Sequence, residues 1–305
     1  MLVDIIGPIK LVRAQGKAAY PYCHCLFIDD RVKAVVDTGA GVRSFAALDT
    51  ATVEMVLYTH YHPDHTHGHE QFAQARSFIH PLDLPAMESV EAYHYFNGAH
   101  LWQELMGVPR HELAERVRRE RPDPDFPDVS PRVKPIDGTL QEGEVIDFGT
   151  TSATVMHTPG HTPGHCVYFF EREGLLFSGD IDLIDFGPWY GSYLSNLDDF
   201  IASIRRIREL RPRILVSCHR RLLTEGIEEA CDAFLSKICQ REERLLAALQ
   251  VPRSLDELAR LGIVHPDLPD PFHEFWEKMM LTKHLERLER QHRVEREDGR
   301  FRLLA

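Results

Sequence analysis

No apolar run in the chain approaches the roughly 20 residues that a membrane-spanning helix needs. Its start, Met1-Leu2-Val3-Asp4, has no basic stretch leading into an apolar one, so no secretory signal is expected. Cysteine is sparse: six thiols lie scattered at 23, 25, 166, 218, 231 and 239, which fits reduced thiols and a cytoplasmic location better than a disulfide framework. Positive charge is also short. Lys and Arg total 35 against 47 Asp and Glu, a net of -12, which argues against a bulk nucleic-acid binder. Hydrophobic residues, by contrast, make up 43% of the 305 positions, enough for a real core in one large domain and one small one.

Against that background one segment concentrates chemistry. Thr59-His60-Tyr61-His62-Pro63-Asp64-His65 places four metal-capable side chains within six residues. Val53, Met55, Val56, Leu57 and Tyr58 precede it and read as a buried strand, so the cluster falls where a strand opens into a loop. Side chains two apart on extended backbone point the same way, which pairs His60 with His62. Pro63 breaks the strand and turns Asp64 and His65 towards a second point nearby. One short segment can thus feed two adjacent metal ions. Three further apolar runs end the same way. Ser152–Met156 leads to His157 and the Gly-rich turn with His161 and His165, Leu175–Phe177 leads to Asp180, and Arg213–Cys218 leads to His219. Polar groups at the ends of several buried strands gather at one sheet edge, where α/β proteins build sites.

The order of these motifs resembles the metallo-β-lactamase superfamily of hydrolases, including its glyoxalase II-like members. Asp37 in Val35-Val36-Asp37-Thr38-Gly39 matches the first motif, and His60, His62, Asp64 and His65 match the second. His161 matches the third, Asp180 the fourth and His219 the fifth. The resemblance implies a four-layer α/β/β/α sandwich over residues 1–225. It implies that His60, His62 and His161 hold one metal, that Asp64, His65 and His219 hold another, and that Asp180 bridges them. Asp37 would steady the ligand loop by hydrogen bonding. The ligands suit two divalent ions, with Zn favoured and Mn or Fe accepted. Two close dications sharing a water would generate hydroxide near neutral pH, with Asp64 orienting it or taking its proton. The expected reaction is hydrolysis of a small thioester, ester or lactone. Two alternatives are a lactamase-like endoribonuclease and a mononuclear iron sulfur dioxygenase; the complete second ligand set disfavours the latter.

Other residues are weighed against blander roles. Tyr190 and Tyr193 follow Asp180, and the resemblance to lactone-cleaving members makes either a candidate substrate contact, with ordinary packing the commoner outcome. Cys23-His24-Cys25 reads as strand packing, with the thiols on one face, and Cys218 reads the same way. His67 and His69 read as solvated or supporting groups, and His157 and His165 as packing or hydrogen-bonding residues. Residues 81–135 form a helical insertion: a lid, a dimer contact or a plain covering layer. Glu112 to Glu120 reads as a charged helix, and any of His80, His94, His100 and His111 is a candidate substrate contact. Asn196 caps a helix whose Leu197, Phe200, Ile201, Ile204 and Ile207 face the sheet. The arginines at 205, 206, 208, 211 and 213 read as a solvated stripe. Residues 226–305 read as a small winged-helix-like unit: helices over Ile227–Leu249, from Ser254 and over Glu274–Gln291, then a hairpin turning at Asp298-Gly299. Its mixed Arg and Glu content favours a structural role over phosphate binding. The partner expected is a small molecule, with neither nucleic acid nor membrane, and a homodimer is left open.

Overall fold

Two β-sheets organise the chain in a computed structural model that describes residues 1–110, 127–268 and 270–304. The first has seven strands in chain order, β1 (Leu2–Ile6), β2 (Ile9–Val12), β3 (Cys25–Asp29), β4 (Lys33–Val36), β5 (Met55–Leu57), β6 (Arg76–Ile79) and β7 (Gly138–Thr139). It is antiparallel from β1 to β4 and parallel from β4 to β7. The second has five: β8 (Val145–Asp147), β9 (Ser152–His157), β10 (Cys166–Phe170), β11 (Leu175–Phe177) and β12 (Ile214–Val216). β11 and β12 pair in parallel, and the rest are antiparallel. A mainly apolar core including Val35, Val36, Leu57, Tyr58, Tyr168, Phe170 and Phe177 joins the two sheets. Tyr168 crosses it to donate its hydroxyl to the Tyr58 carbonyl at 2.8 Å, which satisfies both groups in a dry interior.

The helix from Leu197 to Leu210 covers the second sheet. Asn196 caps it, accepting from the Asp198 and Asp199 N–H groups, a cap worth about 1 kcal/mol. Leu197, Phe200, Ile204 and Ile207 are buried beneath it, each contributing about 1.5–3 kcal/mol. Ile201, expected on the same face, is only partly buried. The arginines beside it are mostly exposed, as expected, and several are paired on the surface. Arg206 pairs with Glu142, Arg208 with Asp232 and Arg211 with Glu228, and Arg213 donates to the Glu173 carbonyl.

After Gly226 the chain forms a helix at Ile227–Ala248, a short strand at Arg253–Ser254, a helix at Leu255–Ala259, a long helix at Pro271–Arg290 and a hairpin of Val294–Glu297 with Arg300–Leu303. Ser254 and Glu257 form the reciprocal capping box that their spacing predicts. The long helix begins earlier than expected because Asp270 caps it and Pro271 takes its first position. Asp298 and Gly299 adopt φ of 49° and 76°, the left-handed pair of a tight hairpin turn. Leu245, Met280 and Leu285 belong to the same buried cluster as Phe200, Ile204 and Ile207, so this segment packs against the helix that covers the second sheet. In the insertion, helices run from Leu84 to Glu88, Val90 to Phe96 and Trp102 to Met106. The helix expected over Glu112–Glu120, and His111, lie outside the described residues. Among the described residues, no helix is long and apolar enough to cross a membrane.

Burial lowers His24, His80 and His265 each to about 4, from an ordinary 6.5. His24 is held neutral as the acceptor for the Ala14 N–H at 2.9 Å. Between pH 6.5 and 4 the unfolded chain binds protons that the fold refuses, so stability falls as pH drops through that window. His24→Gln keeps an acceptor but does not titrate. We expect it to remove about 1–2 kcal/mol of the destabilisation measured by urea unfolding at pH 5 relative to pH 7. An unchanged pH dependence would refute the assignment.

Candidate metal centre

The two sheets share an edge at which four ligand-bearing loops converge. β5 ends at Leu57, and Tyr58 and Thr59 carry the chain buried to His60 and His62. Pro63 then opens a single helical turn, Pro63–Thr66, which presents Asp64 and His65. From the second sheet come His161 after β9, Asp180 after β11 and His219 after β12. The ligand atoms fall into two groups, His60, His62, His161 and Asp180, and Asp64, His65 and His219, with the atoms of each within 4.8 Å of one another. Asp180 reaches both: one oxygen lies 3.2 Å from His161 Nε2 and 3.9 Å from His60 Nε2, the other 3.1 Å from His65 Nε2 and 3.2 Å from His219 Nε2.

Hydrogen bonding fixes which nitrogens face inward. Asp37, fully buried, accepts from Thr59 N at 2.9 Å, Thr59 Oγ1 at 2.8 Å and His65 Nδ1 at 2.8 Å. With the Thr59 hydroxyl donating to Asp37, its oxygen accepts from His60 Nδ1 at 3.0 Å. One carboxylate therefore orients a histidine of each group. His62 Nε2 meets the Ser192 hydroxyl at 3.1 Å, and His161 Nδ1 donates to the Trp189 carbonyl at 2.9 Å. The inward nitrogens His60 Nε2, His62 Nδ1 and His161 Nε2 then stand 2.9–3.2 Å apart. Three lone pairs converging in a buried space repel one another unless a cation lies between them. Burial, followed by the neighbouring histidines, holds His60 and His62 well below the ordinary imidazole value, the neutral form a metal requires.

The second group attracts positive charge. Burial would lower His219, but Asp180 and Asp64 outweigh it and raise the imidazole to about 10. His65 is likewise raised against its burial, by Asp180, Cys23, Asp64 and Asp37. Burial would raise Asp64, yet His65 and His219 bring it to about 2. His65 Nε2 and Asp180 Oδ1 are buried and face each other at 3.1 Å without a well-formed hydrogen bond, an arrangement that a cation between them would satisfy. The residues fit two divalent ions. Imidazoles and carboxylates without an inward thiolate suit Zn, Mn or Fe.

Two residues of the site carry no signal in their own segments of sequence. Asp83, buried in the insertion, accepts from Thr162 Oγ1 at 2.6 Å and Gly164 N at 2.7 Å, and so ties down the turn that carries His161. Burial raises its carboxyl to about 6. Ser192 is the second, and it buttresses His62. His165 plays the hydrogen-bonding role expected: its Nε2 accepts from Asp180 N at 3.1 Å. Cys23 and Cys218 lie behind the site as buried thiols, Cys218 beside Asp37 Oδ2 at 3.6 Å, and burial pushes both thiols well up. Cys23 and Cys25 do share a side, with sulfurs 3.8 Å apart. His67 donates to the Gly39 carbonyl, and His69 meets the Tyr58 hydroxyl, so both brace the ligand loop. His80 stacks on His157, His94 meets Arg110, and His100 packs on Tyr95 and Tyr193.

Tyr190 takes the commoner of the two roles its position allowed, packing. Tyr190 is fully buried, and its hydroxyl is held by His284 Nε2 at 2.8 Å and Arg241 at 3.1 Å, so it is a packing residue rather than a substrate contact. Tyr193 packs against Tyr95 and His100 of the insertion. Trp189 also lies beside the ligands, its ring centre 5.5 Å from His62 and 5.6 Å from His161, as does Tyr61, 4.7 Å from His62.

Fold and site together define a two-sheet protein with histidines and aspartates clustered at the common sheet edge in groups able to hold a metal ion. The chain matches the metallo-beta-lactamase superfamily over residues 21–219 and belongs to it. It is 30% identical over 200 residues to acyl-coenzyme A thioesterase MBLAC2 of Gallus gallus, covering 60% of this chain and 65% of that protein. It is 27% identical to the hydroxyacylglutathione hydrolase of Rhodospirillum rubrum, covering 72% and 67% respectively. The chain thus spans just under two thirds of the thioesterase it matches. A metallo-beta-lactamase family protein from Thermus thermophilus shares the fold with a TM-score of 0.72 at 23% identity, covering 99% of this chain and 100% of that one.

Proposed function

We propose that the protein is a dinuclear metal-dependent hydrolase of small acyl thioesters, with esters and lactones as lesser substrates. The observation that carries this reading is Asp180, one carboxylate reaching a three-histidine group on one side and the Asp64, His65 and His219 group on the other. Bound there, two dications would supply Lewis-acid polarisation of the thioester carbonyl and an activated water. The chain's own residues do the rest. His60, His62, His65 and His161 are held rigidly by Thr59, Ser192, Asp37 and the Trp189 carbonyl. Asp64, beside His219 at 3.4 Å, is placed to accept and hand on the proton of the attacking water. The relatives named as thioesterases and as hydroxyacylglutathione hydrolases support a thioester as the bond cleaved.

The C-terminal segment, which we read as a winged-helix-like unit, supports a structural role. Arg300 pairs with Glu257, Arg302 with Glu295 and Glu297, Arg293 with Glu242, and Arg287 with Asp198 and Glu242. Cations already matched to carboxylates do not offer a phosphate track. The test is thiol release from acyl-coenzyme A thioesters of graded length and from an acylglutathione, run beside an RNA substrate on metal-loaded protein. Thioester cleavage abolished by chelation is expected. RNA cleavage without thiol release, or dioxygen uptake with a persulfide on a single iron, would overturn the proposal.

A further inference from the structure

Arg241, in the helix Ile227–Ala248, is 4% exposed and makes no ion pair among the described residues. Its guanidinium instead donates 2.6 Å hydrogen bonds to the Pro188 and Phe186 carbonyls, and one of 3.1 Å to the Tyr190 hydroxyl. It also lies over the Phe186 ring, 4.7 Å from its centre. The contact is close: Gly187 has φ of 89°, and a methyl group there would come within 2.6 Å of Lys237 Cβ on the same helix. A buried cation satisfied by carbonyl dipoles is costly to desolvate and is tolerated only where those carbonyls are held towards it. Next in the same loop after Pro188, the Trp189 carbonyl accepts from His161 Nδ1 at 2.9 Å.

We infer that Arg241 is a positioning residue for the three-histidine metal site: the C-terminal helix sets His161 through the 186–190 loop and so belongs to the metal centre. The inference rests on the metal reading above. A group that orients a metal-ligating histidine through its outer nitrogen is worth about 10–100-fold in metal affinity. Arg244, three residues along the same helix, is the internal control. It clamps the Ile263 and Gly262 carbonyls at 2.7 and 2.8 Å, the same chemistry on a loop that carries no ligand.

The experiment is cobalt(II) titration of full-length metal-free protein, followed by visible absorption. In a His219→Ala background, which leaves the three-histidine site, Arg241→Gln should weaken cobalt binding about 10–100-fold. Arg241→Lys, which keeps the charge and one donor direction, should fall between. In a His62→Ala background, Arg241→Gln should leave affinity at the other site within about threefold, and Arg244→Gln should leave both unchanged. Unaltered affinity in the first background, equal loss at both sites, or the same loss from Arg244→Gln would overturn the inference. Should Arg241→Gln fail to fold, Arg241→Lys carries the same comparison. If the parent chain takes up one cobalt rather than two, the two-metal proposal fails, while the Arg241 effect is still read on that ion.

Discussion

Replacing Asp180 with asparagine is expected to lower metal content at both sites and to reduce thioester hydrolysis by at least about a hundredfold. The side chain keeps its shape but loses its charge and one acceptor. That charge is the largest influence opposing burial at His65 and at His219, and the carboxylate also contacts His161 at 3.2 Å. Among the described residues no other carboxylate reaches both groups; Asp64 lies on one side only, 3.6 Å from His65 and 3.4 Å from His219. Removing an orienting neighbour of a ligand costs about 10–100-fold in affinity, so losing a shared ligand should cost more. Elemental analysis gives the metal content, and thiol release gives the rate. Circular dichroism shows whether the fold persists, as it should, because the cores on either side of the second sheet do not depend on this side chain. A variant with two metals and near-normal turnover would show that Asp180 is not shared, and the dinuclear proposal would fall with it.

How far this site is legible in the sequence depends on how local its signals are. His60, His62, Asp64 and His65 are contiguous and follow an apolar strand, so their convergence can be read directly. His161, Asp180 and His219 each close an apolar run, and strand ends gather at an edge. The capping residues Asn196 and Ser254 are equally local. Asp270 followed by Pro271 carries a helix-start signal of the same kind, one that places the start of the long helix before Glu274. What escapes is long-range. Asp83 acts on Thr162 and Gly164, 79 and 81 positions away, and no pattern in its own segment announces them. For Tyr190 the sequence allows packing or a substrate contact, and the partners that hold its hydroxyl, Arg241 and His284, lie 51 and 94 residues away. The arginines near 208 are solvated as read, but their carboxylate partners Glu142, Glu228 and Asp232 lie on other elements and leave no local signal. Sequence patterning exposes what a segment buries; it does not expose which distant group completes a buried polar contact.

Gly39→Ala is expected to destabilise the protein by about 3 kcal/mol or more and to weaken the Asp64, His65 and His219 metal site. The cause is not backbone strain, since Gly39 has no left-handed φ. A methyl there would collide with the Asp64 carbonyl and stand 2.9 Å from Cys23 Sγ. Neither neighbour can yield cheaply. Asp64 belongs to the Pro63–Thr66 turn, which is stitched to the same segment by Thr38 N to the His65 carbonyl at 2.7 Å and Thr38 Oγ1 to that carbonyl at 3.1 Å. Cys23 N in turn donates to the Gly39 carbonyl at 3.1 Å. The only movement that relieves the clash pushes the turn off the strand end, and it carries Asp64 and His65 away from Asp180 and stretches the Asp37 bond to His65. Gly7→Ala provides the contrast. Gly7 has φ of 53° with nothing within 4 Å of the added methyl, so it should cost only about 1 kcal/mol and leave metal binding intact. Urea unfolding of both variants, with and without metal, separates the two effects. The difference in stability between wild type and Gly39→Ala should widen when metal is present, because the displaced turn forfeits binding energy as well as packing. Equal stability and full metal content in Gly39→Ala would mean that the close approach of Asp64 to this glycine does not set the ligand geometry.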